Sequence, residues 1–532
     1  MSDQTSQQTS QAPRLAGLLS LEGLRDAARH GEITTVMLGV PDMMGRLKGK
    51  DFEASVFLEK MPATEACAYI LATDVNMTPL PGFELTGWDH GYGDFTVIPD
   101  PDTIRRLPYL ADTAIILGDP ADREGAPIEV APRHILRTQL DHLADLGFDV
   151  KVGLETEFLL YAAAGALQPG YRRSPARVSA TREAMLREYT RAQNPQETRE
   201  DAGSGDGLDE PELHREEIEL PDGGHLVLTD IKELAHSASG YRDLQPAAFH
   251  NLDYALDRPL LLTDFFQYLK TALRGAGMPV ESVKTEGAKG QVEVTWPYGP
   301  ALPACDALAV FKHTVRHVAA RRDLIPTFMA APETGVGSGM HIHLSLWKDG
   351  KPVFATTSHR DLPPPTMERA IAGLISGMPH LAPLYAPTPN SYKRYRPYSF
   401  APTHFTWGID NRGCAIRVTG HGKGTHLEIR LPGADANPYL AVAASCAAII
   451  HGLTDRPKLP PFFMGNAYRA VDELPVPSDL TAALGDFDGS PIAEKAFGET
   501  VVRHYTHAAQ MEVDAHLGQV TDVERERGLF HA

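Results

Sequence analysis

Among 532 residues there are only four cysteines, Cys67, Cys305, Cys414 and Cys446, and no CxxC spacing joins any two of them. That excludes a zinc knuckle and a disulfide framework, and a reducing cytosol is the expected compartment. Basic side chains are also in short supply: 50 Lys and Arg stand against 69 Asp and Glu, a formal net charge of −19. A general nucleic-acid binder needs clustered cations to displace counterions from phosphates, and an anionic membrane surface asks the same, so neither partner is expected. No apolar run approaches the roughly 20 residues of a membrane span. The longest, near Ala441 to Ile450, is interrupted by Ser445 and Cys446 and reads as buried helix. The first residues, Met1 to Pro13, carry Ser, Gln, Thr and Asp3 in place of a basic start and an apolar stretch, so a disordered tail over 1–15 is expected rather than a signal peptide. No heptad or internal repeat is visible. Gly420-His-Gly-Lys-Gly-Thr425 only imitates a GxxxxGK[ST] loop, which leaves phosphate recognition to other groups.

What is present alternates in kind along the chain. The length fits roughly three average domains or two unequal ones. Short apolar runs at Thr34–Val40, Ala66–Ala72, Phe95–Pro99 and Thr113–Leu117, separated by turn residues, predict a small α+β domain over 16–127 with a sheet core. Glu124 to Pro132 reads as a linker, and a larger domain over 128–532 follows. There His134–Leu146 has the apolar stripe of a helix, Phe148–Leu160 the pattern of a strand, and Leu262–Gly275 that of an amphipathic helix. Gln291–Trp296 and His341–Trp347 read as strands; Asn437 and Pro438 read as the N-cap and first residue of a helix. Between 162 and 224 lies an insertion of different character, read as mobile: from Glu197 to Asp222 eleven Asp or Glu face two Arg.

Charged residues at strand spacing carry the chemistry. Glu155 and Glu157 project from one face of a strand, as do His341 and His343, and as do Glu428 and Arg430. Glu286 and Glu293 bracket a glycine-containing turn. Each pair alone reads more readily as a solvated or structural face than as a ligand pair. Together, carboxylates and an imidazole without a thiol are the hard ligands of Mg²⁺ or Mn²⁺. Arg394, Arg412, Arg417 and Arg430 beside them are suited to carboxylate and phosphate groups, which planar guanidinium groups bind with two hydrogen bonds.

These pieces, in this order, resemble the glutamine synthetase family from about Thr34 to the C-terminus, apart from the insertion. The matching motifs are Glu155-Thr-Glu157, Glu286 through Gln291-Val-Glu293, Gly337-Ser-Gly-Met-His341-Ile-His343, Asn390-Ser-Tyr-Lys-Arg394, Asn411-Arg412 through Arg417, and Glu428-Ile-Arg430 through Asn437-Pro-Tyr-Leu440. The resemblance implies an α+β fold, with an N-terminal β-grasp domain and a large catalytic domain built on a curved antiparallel sheet with helices. It implies ATP and two or more Mg²⁺ or Mn²⁺ ions per site, one held by Glu157, Glu286 and Glu293 and another by Glu155, His341 and Glu428. His343, Ser345, Arg412 and Arg417 would face the nucleotide, with Arg412 also catalytic. Arg394 would take the α-carboxylate of glutamate, Arg430 its side-chain carboxylate, and Gly337 would line the same substrate site. Asp42, in Pro41-Asp-Met-Met-Gly45, matches the acidic residue that the small domain lends to a neighbouring subunit, which implies a ring-shaped homo-oligomer with shared sites.

Two positions depart from the glutamine-forming members. Phe400 stands where they carry the loop glutamate that helps bind and deprotonate ammonium, and Val336 stands where they carry Asn before Gly-Ser-Gly-Met-His. Ammonium is strongly hydrated, so losing a carboxylate partner disfavours it, whereas an aromatic suits the carbon chain of an amine. Both changes resemble the γ-glutamylamide branch, implying an ATP-dependent ligase of glutamate with an organic primary amine such as a polyamine, an alkylamine or ethanolamine. The alternatives are an ordinary glutamine synthetase using ammonia and a catalytically silent member with a structural or regulatory role.

Overall fold

The computed structural model describes residues 17–61, 64–162, 216–219, 225–228, 244–357 and 362–531. The expected tail at 1–15 lies outside them, as does most of the 162–224 insertion. The chain divides into two compact units, Met1–Leu160 with Ala248–Ala532, and Tyr161–Ala247.

The first unit holds two sheets. The smaller is formed by β1 (Thr35–Pro41), β2 (Leu47–Glu53), β3 (Glu65–Cys67), β4 (Asp94–Arg106) and β5 (Thr113–Ala121) in the order β2-β1-β5-β4-β3. Its centre is the parallel pair β1–β5, and every other pairing is antiparallel. The predicted run at Ala66–Ala72 is a strand only at its start. Ala68–Leu71 turns as a 3₁₀ helix that buries Ala68, Ile70 and Leu71. Strand β4 runs beyond Phe95–Pro99 but shifts register between Asp100 and Arg105, next to Pro99 and Pro101, which offer no N–H to a ladder.

The larger sheet centres on β6 (Asp149–Ala162), whose last residues belong to the second unit. The second unit also contains the antiparallel hairpin of β7 (Glu216–Glu219) and β8 (His225–Leu228), and β9 (Gln245–Pro246), which pairs with Tyr161 and Ala162. Back in the first unit come β10 (Ser282–Thr285), β11 (Gln291–Thr295), the short β12 (Gly299–Pro300) and β13 (Leu324–Thr327), β14 (Met340–Lys348), and β15 (Lys351–Pro352). β16 (Trp407–Ile409), β17 (Ile416–Thr419) and β18 (His426–Ile429) complete the path β10-β11-β6-β14-β18-β17-β16. Along it all pairings are antiparallel except β16–β17. The fold is thus the mixed helix-and-sheet class expected.

The helices behind the sheet supply its support. The helix Pro438–Thr454 begins as predicted, with the Asn437 side chain accepting from Tyr439 N at 3.0 Å. It is buried almost all round and packs on helices Pro132–Asp145 and Pro365–Gly377. The second contact requires glycine: a Cβ on Gly373 would lie 2.1 Å from the Ala448 carbonyl oxygen. Arg133, wholly buried, ties the helices to the small sheet. It donates to Asp306 at 2.9 and 2.8 Å, to Asp119 on β5 at 2.7 Å and to Asp100 on β4 at 2.7 Å. Among the described residues no helix is long and apolar enough to cross a membrane.

Candidate active site

Strand register assembles the charged cluster. Glu157 lies opposite Glu293 across β6–β11, and His341 opposite Glu155 across β6–β14. Glu428 lies opposite His343 on one side of β18 and opposite Arg417 on the other. Period-two spacing and antiparallel pairing therefore put residues 155, 157, 293, 341, 343, 417 and 428 side by side, although up to 273 positions separate them in sequence (428 − 155). Ligand atoms of Glu157, Glu286 and Glu293 lie within 4.8 Å of one another, as do those of Glu155, Glu293 and His341, and of Glu155, His343 and Glu428. His341 Nδ1 is 3.4 Å from Glu155 and 3.7 Å from Glu428.

Charges in this cluster perturb one another. Burial raises the Glu155 carboxyl, but hydrogen bonds from His341 and His343 outweigh it and hold it well below the usual range. Burial also raises Glu428, yet Arg430, the two histidines and Arg417 bring it down to about 2. Glu293 goes the other way: burial and the charges of Glu155 and Glu157 push it up to about 7, with only Lys284 opposing. Lys284 pairs with Glu286 and lies 3.3 Å from Glu293, so a lysine partly offsets the repulsion. Glu157 accepts from Gly339 N at 2.8 Å and from Gln291 Nε2 at 2.9 Å, and Gln291 also donates to the Gly337 carbonyl at 2.9 Å. Three carboxylates with no compensating guanidinium form a donor set that fits a hard divalent cation.

The arginines flank this cluster in different states. Arg394 is buried and, among the described residues, donates only to backbone oxygens, of Leu431 at 3.0 Å and Arg430 at 3.3 and 3.4 Å. A buried cation without a carboxylate partner suits an incoming anion. Gly339 lets the Arg394 guanidinium lie close against the backbone, since a Cβ there would lie 2.6 Å from it and 3.0 Å from His341 Nε2. Arg430 pairs with Glu428 and also donates to the carbonyls of Arg412 and Phe400, each at 3.1 Å. Arg417 bridges Glu428, at 2.9 Å, and Asp410. Arg412 is exposed.

A cavity of about 430 Å³ opens next to the cluster, lined by Glu155, His343, Ser345, Arg417 and His426 and walled by Tyr298 and Trp347. His343, Ser345 and Trp347 alternate along β14, Tyr298 stacks on Trp347 at 6.3 Å, and Lys151 sits 3.6 Å from the Trp347 ring centre. His343 Nδ1 is 2.9 Å from His426 Nε2. His426, Tyr298, Trp347 and Lys284 had not been singled out as site residues. The two-residue period from Glu428 to His426, and from Ser345 to Trp347, was the available signal.

Two expected site residues stand apart. The Asp42 carboxylate, 1% exposed, accepts from Met44 N and Arg46 N and pairs with Arg46 at 2.8 Å, and no hydrogen bond or ion pair links it to the cluster. Phe400 presents a ring that is 67% exposed on a left-handed backbone (φ 60°), two residues after Tyr398 (φ 66°). Two non-glycine residues held this way mark a loop whose shape is imposed by its surroundings, here by the Arg430 bond to the Phe400 carbonyl.

Comparison with known proteins agrees with this geometry. A family model described as the glutamine synthetase catalytic domain matches residues 129–528. A gamma-glutamylethanolamide synthetase of Streptomyces coelicolor is 37% identical over 514 residues, covering 96% of each chain. A glutamate–isopropylamine ligase of a Pseudomonas species is 30% identical, covering 92% of this chain and 93% of its own. The glutamine synthetase of Thermus thermophilus is 29% identical over 450 residues. Among solved structures, a GmaS/ADP complex superposes with a TM-score of 0.71 at 22% identity, over 95% of this chain and 99% of that one, which establishes a shared fold.

Proposed function

The chain belongs to the glutamine synthetase family, and from that premise we propose that it is an ATP-dependent ligase joining the γ-carboxyl of glutamate to an organic primary amine through a γ-glutamyl phosphate. The carrying observation is that two relatives at 30% identity or more over nine tenths of the chain are both named for amide formation with an organic amine, ethanolamine in one and isopropylamine in the other. Phe400, in place of an ammonium-binding glutamate, supports the same reading.

Glu157, Glu286 and Glu293 would hold one divalent ion, and Glu155, His341 and Glu428 another. When bound, such ions neutralise the ATP phosphates and the ligand carboxylates. The chain's own residues do the rest. His343, Ser345, Arg412 and Arg417 face the nucleotide, with Tyr298 and Trp347 offering flat walls to its base. Arg394 takes the α-carboxylate of glutamate, and Arg430 orients the side-chain carboxylate beside Gly337. That carboxylate attacks the γ-phosphorus and ADP leaves, while Arg412 and Arg417 offset the charge on the transferring phosphoryl group. The amine nitrogen then attacks the acyl carbon, phosphate leaves, and the nitrogen gives up a proton.

We read residues 16–127 as the small domain and 128–532 as the catalytic domain of a ring-shaped homo-oligomer. Asp42 would serve a neighbouring subunit's site only after leaving its bonds to Met44 and Arg46. The four cysteines are free, which supports a reducing cytosol. Phosphate release with glutamate and ATP, compared across ammonium, ethanolamine, an alkylamine and a polyamine, tests the assignment. A clear preference for ammonium overturns it.

A further inference from the structure

Away from the acidic cluster, two histidines meet on the helix Ala301–Ala320. His313 and His317 are four residues apart, so their rings meet on one face, tilted by 49°, with centroids 4.4 Å apart and Nε2 atoms 3.2 Å apart. Both are half-buried. With metal–nitrogen bonds of about 2.1 Å, nitrogens at that 3.2 Å separation subtend roughly 100° at an ion between them, the angle of neighbouring ligands in a tetragonal or near-tetrahedral shell. We propose that His313 and His317 form a chelating site for a divalent transition ion of the nickel, copper or zinc class, distinct from the oxygen-rich sites for Mg²⁺ or Mn²⁺.

The surroundings accommodate the tautomer a ligand needs. Tyr109, from the segment between β4 and β5, places its hydroxyl 2.9 Å from His313 Nδ1, and the Thr314 hydroxyl lies 3.1 Å from the same oxygen. Thr314 in turn donates to the Val310 carbonyl at 2.8 Å. One chain of donors satisfies all of these groups: His313 Nδ1–H to Tyr109, Tyr109 O–H to Thr314, and Thr314 O–H to Val310. It leaves the Nε2 lone pair of His313 facing that of His317, as a metal requires. A ligating imidazole that donates its other N–H to an oxygen is the usual outer-shell arrangement. Without an ion, His313 shifts its proton to Nε2 and donates it to His317, so binding exchanges a hydrogen bond for two metal–nitrogen bonds with no net loss of a proton.

Both imidazoles are held in the neutral form. Burial, His317 and Arg316 push His313 down to about 4, and burial with Arg321 lowers His317. No third His, Cys, Asp or Glu among the described residues joins the pair, which leaves the remaining positions to water. An all-imidazole pair selects against Mg²⁺ and Mn²⁺ and follows the order that favours copper and nickel.

The test is calorimetric titration of the full-length protein with NiCl₂ in saturating Mg²⁺. Wild type is expected to take up one equivalent more than His317→Gln, while His341→Asn, in the acidic cluster, retains that equivalent. Tyr109→Phe keeps both imidazoles but removes the acceptor, and is expected to bind the same ion about tenfold more weakly. Equal Ni²⁺ uptake by wild type and His317→Gln overturns the site. Should His317→Gln fail to fold, unchanged Ni²⁺ affinity in Tyr109→Phe overturns it.

Discussion

Replacing Arg133 with methionine removes the buried cation of a network in which the more exposed Arg137 also reaches Asp119, at 3.0 Å, and leaves the carboxylates behind. The Arg133 side chain is 1% exposed and Asp306, its bidentate partner, 3%, while Asp100 and Asp119 are 22% and 27% exposed. Water can rehydrate the two outer aspartates, so each of those pairs contributes no more than about 1 kcal/mol. Asp306 has no such recourse: it keeps the Tyr439 hydroxyl at 2.8 Å but loses both guanidinium hydrogen bonds. Stranding a buried carboxylate costs about 3–5 kcal/mol. Arg133→Met is therefore expected to lose about 4 kcal/mol, most of it through Asp306. The double variant Arg133→Met with Asp306→Asn, which removes the stranded charge, is expected to recover more than half of the loss. Urea unfolding followed by far-ultraviolet circular dichroism, with all proteins at one concentration, measures both. A loss below about 1 kcal/mol, or a double variant no more stable than the single one, refutes the reasoning, because the guanidinium would then be no more than an exposed ion pair in effect.

Because the Glu293 carboxyl is pushed up to about 7 from its ordinary 4.5, folding favours its protonated form, and its ionisation costs the metal-free protein stability as pH rises from 4.5 through 7. Glu293→Gln should thus raise the Tm of metal-free protein at pH 8 and leave it unchanged at pH 4; the opposite order contradicts the assigned repulsion. In wild type the same proton competes with a divalent ion, so Mn²⁺ affinity by calorimetry should weaken as pH falls from 8 to 6, with proton release on binding. Gly339→Ala drives a methyl group against Arg394 and His341, and kcat/KM for glutamate should fall on the order of 100-fold with an unchanged circular dichroism spectrum; ordinary kinetics would show that the position of Arg394 does not matter to glutamate. Phe400→Glu should raise phosphate release with ammonium relative to ethanolamine, and an unchanged ratio would remove Phe400 from amine selection.

Much of the site was legible in sequence because a strand repeats every two residues. Glu155 with Glu157, His341 with His343 and Glu428 with Arg430 each announced a shared face. Which strand lies beside which was not legible, since register is set by pairings across the whole chain. For that reason Glu293 was readable as a candidate ligand, but its crowding by both Glu155 and Glu157 was not. His426 and Trp347 escaped notice although each continues a period already read. Phe400 was singled out by position, yet only the backbone shows that its loop is held by Arg430. The helix Pro438–Thr454 was legible from its cap and composition. The run at Ala66–Ala72 was misread in its second half because a short apolar stretch looks the same whether it pairs as a strand or turns into the core.

The antiparallel register that gathers Glu155, Glu293, His341 and Glu428 also decides when the site comes into being. Its members are contacts of very long loop closure, and the pairing of Glu157 with Glu293 brings negative charge towards negative charge. Such contacts form late in folding, because the entropy of closing the loops must be met before any of them is rewarded. No fragment of the chain short of 155–428 can hold all the ligands. A divalent ion that binds the finished cluster and not the open chain draws the folding equilibrium towards the closed sheet by mass action. A divalent cation held there would in this sense also be the last element of the fold, and its supply would set the fraction of chains whose sheet is closed.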